Sequence, residues 1–471
     1  MTGFWKARRA ASPALTPCAL SREGVPSLPI LMITPHDSAS SLSRRKFLRT
    51  ATGAAALAAL PIERFAHAAE GGPLKLGLIG GGGRGTGAAN QALKALPNIQ
   101  MVAMGELFQD IADKAVKNLA SQHSTKVDVT PDRIFLGFDA YKKVIAACDV
   151  VILATPPTFR PMMFEEAVKQ GKHAFMEKPV AVDAIGIRRV LAAAEEAKKK
   201  GLKTGVGLQR RHKPGYLEAI KRVHDGALGK IMYGRTFWNM GAARAFVPKK
   251  PEWNELEFQL HNQFYFAWLC GDIIVDQGLH NIDVFNWMMK DVPPISAKGI
   301  GGAEVRRGKD AGSLYDHFGI EFEWADGTRL FHQNRQIPDC FNYVAENGHG
   351  TDGSLECVDQ RAIFNITGKN PWRYEKEVPT VDAYQKEHDD LFNAITKNLD
   401  YNEAERGAKS TMTAILGRMA GYSGQLLTWD DAIKSEVPFG KEFKTLQEEP
   451  PIMPDKDGNY PLPVPGKYKA I

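Results

Sequence analysis

Leu74-Lys75-Leu76-Gly77-Leu78-Ile79 is a short apolar run that stops at four consecutive glycines. That pattern predicts a buried parallel strand feeding a tight turn. Further strand-like runs fall at residues 99–104, 149–154, 173–176 and 203–206. Between them lie helical patterns: one beginning near Arg84, one over 161–170, and an amphipathic one over 184–199. Strand and helix in alternation predict an α/β fold built on a doubly wound parallel sheet. Farther along the period changes. Phe318, Ile320, Phe322 and Trp324 alternate with Gly319, Glu321 and Glu323, the period-2 mark of a half-buried strand. Asp326-Gly327 then reads as a hairpin turn, residues 231–238 as another strand, and 384–397 and 408–422 as helices. From Glu436 the chain is rich in proline and is expected to be extended, wrapping the body or a neighbouring subunit.

The first 68 residues follow a different grammar. Ser43-Arg44-Arg45-Lys46-Phe47-Leu48-Arg49 precedes an apolar stretch over 51–60, then Pro61 and Ala66-His67-Ala68. The stretch is too short to span a bilayer as a helix. Arginine pair, apolar middle and small-x-small end predict a cleavable leader of the twin-arginine route, which exports folded proteins. The expected partner during export is the twin-arginine translocation machinery, and the expected location is the periplasm or another exported compartment. Residues 1–31 are rich in Pro, Ser and Ala without periodicity, and a start at Met32 would give a more ordinary leader. The whole chain has 60 basic and 54 acidic residues. The leader alone holds nine basic and three acidic residues, so the surplus of six falls wholly within it. A charge-balanced remainder gives no support for nucleic-acid binding.

Four units are expected: the leader (1–68), a nucleotide-binding domain (69–206), an α/β substrate and oligomerisation domain (207–435) and an extended tail (436–471). Beyond the leader stand Cys148, Cys270, Cys340 and Cys357, with no C-x-x-C pair or His/Cys cluster, so no metal is expected. Cys340 and Cys357 could pair after export, but four buried small apolar residues is the favoured reading.

The glycine segment carries the first chemistry. Gly80 permits the tight turn, Gly82 lets backbone approach a pyrophosphate, and Gly85 lets helix and strand pack closely. Gly83 and Arg84 open the helix, whose unpaired N–H groups favour negative charge. Glu106 ends the next strand, about twenty residues on, where an acid accepts hydrogen bonds from the adenosine ribose. It would repel a 2′-phosphate, so NAD is favoured over NADP. Thr155-Pro156 and Glu177-Lys178-Pro179 follow later strands, at the end of the sheet where ligands bind.

With these pieces and the segment from Gly271 to Asp283 in order, the chain resembles the Gfo/Idh/MocA oxidoreductases. The resemblance implies a Rossmann domain followed by an α/β domain whose open, mainly antiparallel sheet supports homo-oligomers. It also implies NAD(P)-dependent chemistry on a hydroxyl or carbonyl of a sugar, glycoside or polyol. By resemblance Lys178, Asp276 and His280 are the catalytic trio. Lys178 would bond the substrate hydroxyl and stabilise the alkoxide. Asp276 and His280 are four apart, hence on one helical face, where the carboxylate can orient the imidazole. Either Lys178 or His280 can be the immediate base. Thr155, Pro156, Glu177 and Arg160 are expected at the cofactor, Arg160 standing where many relatives carry His. Gln209-Arg210-Arg211-His212 falls where relatives line the sugar pocket, and Arg211, His212 and Asn281 are the expected substrate contacts. His317 is a candidate near the site, and His388 after Glu387 reads as a solvated helix face. Trp253 and Trp268 could offer flat faces to a sugar, although core packing is the commoner fate of Trp.

Free nicotinamide nucleotides are scarce outside the cytoplasm, so an exported enzyme of this kind is expected to carry a tightly held cofactor. Besides net oxidoreduction, two readings stand: a redox-neutral glycoside hydrolase or lyase working by transient oxidation, and a non-catalytic sugar-binding protein. Retention of Lys178, Asp276 and His280 weighs against the last.

Overall fold

The structure, a computed structural model, describes residues 72–471 except 242–243, 310 and 376–379. The arginine pair, the cleavage site and Met32 lie outside the described residues.

Six strands form the first sheet: β1 (Leu74–Ile79), β2 (Ile99–Glu106), β3 (Ile134–Leu136), β4 (Val150–Leu153), β5 (His173–Met176) and β6 (Thr204–Val206). They are parallel throughout and lie in the order β3-β2-β1-β4-β5-β6. Leu76, Leu78 and all four residues of β4 are fully buried, because helices cover both faces and leave no solvent side for alternation. The chain reverses its winding between β1 and β4, which opens a crevice at the strand ends.

The second sheet has nine strands: β7 (Ile231–Met240), β8 (Ser296–Gly302), β9 (His317–Glu323), β10 (Arg329–Gln336), β11 (Tyr343–Gly350), β12 (Gly353–Val358), β13 (Ile363–Gly368), β14 (Trp372–Arg373) and β15 (Leu427–Thr428). Their order is β14-β13-β12-β11-β7-β10-β9-β8-β15. Only β7 and β10 pair in parallel; the other pairings are antiparallel. Phe318, Ile320 and Phe322 point inward from β9, and Gly327 at φ +83° turns the chain from β9 into β10. The doubly wound sheet and the second, mainly antiparallel sheet are those the sequence led us to expect.

Helix Ala404–Ser423 is buried on almost every side, as a helix packed between layers must be. It lies between helix Ala184–Lys199 and strands β8 and β9. Helix Ala383–Thr396 packs on helix Gly83–Ala95 of the first sheet. This overturns the reading of His388 as solvated: Glu387 and His388 are both buried, and His388 packs at a tilt against Phe175 of β5, ring centres 4.2 Å apart. Cys148, Cys270 and Cys357 are buried, but Cys340 is exposed, and all four are free thiols. Cys340 follows the end of β10 in the β10–β11 connection, outside the core.

The tail lies against its own body. Phe443 packs among Phe138, Phe159 and Trp268, and Tyr460 meets Phe266 edge-on at 4.9 Å. Arg188 binds Glu436, and Arg189 bridges Glu165 and Glu442.

Candidate active site

The crevice at the ends of β1, β2 and β4 is a cleft of about 910 Å³ walled by Gly82, Glu106, Phe108, Phe138, Pro156 and His261, among others. Gly80 holds φ +94°, and a Cβ there would sit 2.8 Å from the backbone of Ala154 and Thr155. A Cβ on Gly85 would stand 1.9 Å from the Gly80 carbonyl oxygen, so helix and strand meet only because both are glycine. At Gly82 and Gly83 a Cβ would meet nothing within 4 Å. The space they leave faces the start of helix Gly83–Ala95, which has no side-chain cap and no acid in its first turn. Its orphan N–H groups are free for an anion. Glu106 accepts from the Gly81 and Leu107 amides, each at 2.7 Å, and burial pushes its carboxyl upward. Open glycines, an uncapped helix start and an acid at the end of β2 fit a dinucleotide.

One wall of the cleft comes from helix Glu255–His261. Asn254 and Glu257 close a capping box at its start. His261 at its end stacks between Phe108 at 4.1 Å and Trp253 at 4.0 Å. Trp253 therefore packs beside the nucleotide cleft. Trp268 is core and donates to Gln259 at 2.7 Å. The tail clasps the same helix: Asn254 donates to the Leu446 carbonyl at 2.7 Å and Gln259 to that of Ile452 at 2.8 Å.

Glu177 and Lys178 follow β5. Glu177 accepts from Arg84 Nε at 2.5 Å, which ties the glycine loop to the segment carrying Lys178. Lys178 Nζ donates to the Asp276 carbonyl at 2.5 Å and lies 3.3 Å from Asp276 Oδ1. Asp276 Oδ2 accepts from Gln277 at 2.8 Å. These residues sit in a π-turn, Ile274–Gly278, that runs directly into helix Leu279–Met288. Gly278 makes the placement possible, since a Cβ there would lie 2.6 Å from His332 and 2.8 Å from Asn334 on the inner face of β10. Asn334 also holds the Ile273 carbonyl at 3.1 Å.

One expectation is corrected. Asp276 pairs with Lys178, and among the described residues no carboxylate hydrogen bond orients His280. The imidazole stacks on Trp238 of β7 at 5.6 Å, and its Nδ1 has no hydrogen-bond partner among the described residues. Burial, with the charges of Lys178 and Arg210, drives it well below its ordinary value, which favours the neutral ring.

Other expected site residues are placed elsewhere. Arg211 is locked by Asp283 and Asp291, and Asp283 also accepts from Ser410. His212 sits between Asp390 and Glu403. Asn281 is fully buried and donates to Glu346 and the Ala345 carbonyl. All three are buried and engage internal partners, although Asn281 Oδ1 has no hydrogen-bond partner among the described residues. Arg160 is buried and donates to the Pro179 carbonyl. It is absent from the cleft walls and supports the Lys178 loop from beneath. His317 pairs with Asp316 at 2.7 Å. Within Gln209–His212 it is Arg210 that reaches the site, bound to Glu346 and lying over Trp238 at 5.8 Å. The segment is a tight 3₁₀ turn, whose neighbouring side chains diverge too sharply for sequence to rank them. Burial pushes the Glu346 carboxyl up to about 7 against the pull of Arg210.

Among the described residues no group of three or more His, Cys, Asp or Glu could hold a metal ion. Residues 74–206 match the family model GFO_IDH_MocA, described as an oxidoreductase family with an NAD-binding Rossmann fold. The chain is 24% identical over 229 residues to scyllo-inositol 2-dehydrogenase (NAD(+)) of Bacillus subtilis (strain 168), covering 48% of this chain and 57% of that protein. It is 27% identical over 165 residues to a glycosyl hydrolase family 109 protein of Shewanella baltica (strain OS155 / ATCC BAA-1091), covering 34% of each. The chain spans about half the length of several inositol dehydrogenases it matches. Among solved structures, levoglucosan dehydrogenase in complex with NADH and levoglucosan shares the fold, with a TM-score of 0.59 and 18% identity over 76% of this chain and 99% of that one. Over residues 74–206 the chain is thus similar to the NAD-binding Rossmann domain of the Gfo/Idh/MocA oxidoreductases.

Proposed function

We propose that the protein oxidises or reduces a hydroxyl or carbonyl of a sugar, glycoside or polyol with NAD. The observation that carries this reading is the Lys178–Asp276 pair, set at the strand ends beside a neutral His280 and tied through Glu177 and Arg84 to the nucleotide loop. NAD, when bound, accepts the hydride; the protein supplies orientation, charge and a path for the proton. Lys178 puts positive charge where an alkoxide develops, and Asp276 holds it there. His280, uncharged, can take the hydroxyl proton. Trp238 fixes the plane of its ring.

The leader and the clasped cleft support an exported enzyme that keeps its cofactor. The exposed Met232, Tyr233, Ile300 and Phe331 of the second sheet support a homo-oligomer. The likeness to a family 109 glycosyl hydrolase favours a second reading, in which oxidation by NAD would acidify a neighbouring C–H, the glycosidic leaving group would be eliminated, water would add, and the hydride held as NADH would return to the oxidised carbon. The test is to purify the mature protein, assay bound nicotinamide by mass spectrometry, and supply polyols, sugars and glycosides with and without NAD. Reduction of the nicotinamide by a polyol or sugar supports the first reading; cleavage of a glycoside without net NADH supports the second. Protein that binds no NAD and changes none of these substrates refutes both.

A further inference from the structure

Next to the Lys178–Asp276 pair lies a second, smaller cavity of about 250 Å³, walled by Asp276, Arg244, Tyr265, Arg306, Leu314 and Gln336, among others. Much of that space is open to solvent, and its enclosed part admits only a water-sized group, so a substrate reaches it with one small polar end and not with a ring. Its chemistry is one-sided. Arg306 is 8% exposed; its Nη2 donates to Gln336 Oε1 at 2.6 Å, and its Nη1 has no hydrogen-bond partner among the described residues. A buried, unsatisfied guanidinium donor is costly. Among the described residues no carboxylate lies within ion-pair distance of Arg306 or Arg244. The one carboxylate in the wall, Asp276, is already paired with Lys178.

Arg306 is also held firmly. Asp316 Oδ2 accepts the amides of Glu304, Val305 and Arg306 at 2.7, 2.7 and 3.0 Å, and the guanidinium lies over the Tyr265 ring at 5.0 Å. Gln336, its one side-chain acceptor, is fixed by its own amide on the Asp316 carbonyl at 2.8 Å. Such locking prepares a donor for a ligand it meets repeatedly. Arg244, exposed at the rim over Phe264 at 5.4 Å, adds a second positive group.

We propose that this cavity is the subsite for a carboxylate on the substrate, so that the enzyme prefers sugar acids, uronates or aldonates, over the matching neutral sugars. The inference rests on the oxidoreductase reading above and names its substrate class. The reacting hydroxyl lies at Lys178 and His280, and the carboxylate lies at Arg306 with Arg244 over it. A planar carboxylate matches the edge of a guanidinium in paired hydrogen bonds. Guanidiniums also pair with phosphate, so a phosphate ester is the competing ligand in the test.

The test uses the mature protein with its bound cofactor and matched probes: glucose, glucuronate, methyl glucuronate and glucose 6-phosphate, then the galactose series. Binding is read by calorimetry and turnover by nicotinamide absorbance. Glucuronate or galacturonate should bind at least about tenfold more tightly than its neutral partner, the scale of one charged hydrogen bond. The methyl ester should lose that advantage. In Arg306→Gln the preference should fall toward one, and Arg306→Lys should keep part of it. Arg244→Gln, at the exposed rim, gives an independent reading should the Arg306 variants not fold, and should weaken acid binding severalfold. Equal binding of acid and neutral sugar, an unchanged preference in the Arg306 or Arg244 variants that fold, or stronger binding of the phosphate overturns the carboxylate subsite. Turnover of neutral sugars alone would sink the subsite while sustaining the oxidoreductase. Tight, Arg306-dependent binding of acids with no redox change would sustain the subsite and sink the oxidoreductase.

Discussion

Replacing His212 with Gln measures whether this residue serves the fold or the substrate. His212 Nδ1 is 2.8 Å from Asp390 Oδ2, and Nε2 is 3.2 Å from Glu403 Oε1. Burial works to lower the imidazole, but the two carboxylates outweigh it and raise it from 6.5 to about 8. That rise corresponds to about 2 kcal/mol of folding stability. Since the folded value lies above the unfolded one, the contribution is complete below pH ~6.5 and is lost as pH climbs through ~8. Glutamine keeps a polar side chain of similar reach but no charge. Glu403 keeps Arg406 and Asp390 keeps Lys386, so neither carboxylate is stranded and the cost stays near that of the imidazolium itself. The variant should therefore melt roughly 2–3 °C below wild type at pH 6, with the gap closing by pH 9. Scanning calorimetry of both proteins at matched cofactor loading reads it directly. A gap of equal size at pH 6 and pH 9 would refute the electrostatic account. A KM raised about tenfold or more at pH 9, where the stabilities converge, would return His212 to the substrate.

Four further changes probe other parts of the site. Gly85→Ala sets a Cβ 1.9 Å from the Gly80 oxygen, so the βα turn must distort; purified protein should carry little or no nicotinamide by mass spectrometry, and normal loading would contradict the cleft assignment. His280→Ala and Lys178→Ala should each lower turnover by about 100-fold or more while retaining bound NAD, and near-normal activity in either removes that residue from the chemistry. Phe443→Ala empties an aromatic cluster shared with Phe138 and Phe159, two walls of the nucleotide cleft. It should cost about 3 kcal/mol and speed NAD loss during dialysis; unchanged retention would mean that the tail braces the fold without guarding the cofactor.

The first sheet was legible because burial on both faces writes an unbroken apolar run. Leu74–Ile79 and His173–Met176 are strands over the residues the pattern marks, and the helix at Ala184–Lys199 has the bounds its amphipathic period predicts. The three-residue β3 left no such run, because Phe135 and Leu136 are only partly covered. Helix Ala404–Ser423 starts earlier than its pattern suggested, since its first turn holds Glu405 and Arg406 and reads as polar loop. Polarity misled at Glu387 and His388 for the opposite reason. A carboxylate and an imidazole side by side signal solvent when read along a helix. Here helix Ala383–Thr396 carries them against β5, where Arg84 stands 3.8 Å from Glu387 and repulsion from Glu177 together with burial raises the Glu387 carboxyl.

Lys178, Asp276 and His280, the trio proposed as catalytic, were legible as neighbours, but their pairing was not. Spacing of four puts Asp276 and His280 on one side of the chain without saying which partner each takes. In the structure Asp276 turns to Lys178 of the first sheet and His280 stacks on Trp238 of β7, contacts made across the fold that local spacing does not encode. Two consequences follow for chemistry. The carboxylate neutralises the lysine, so that the cleft beside it gains a held positive group without net charge. The imidazole, lacking an acid to favour its protonated form and facing Lys178 and Arg210, waits in the neutral state that can receive a proton. In the chemistry proposed above, charge and proton acceptance are thus divided between two residues, and Gly278 allows the turn that carries Asp276 to lie on β10.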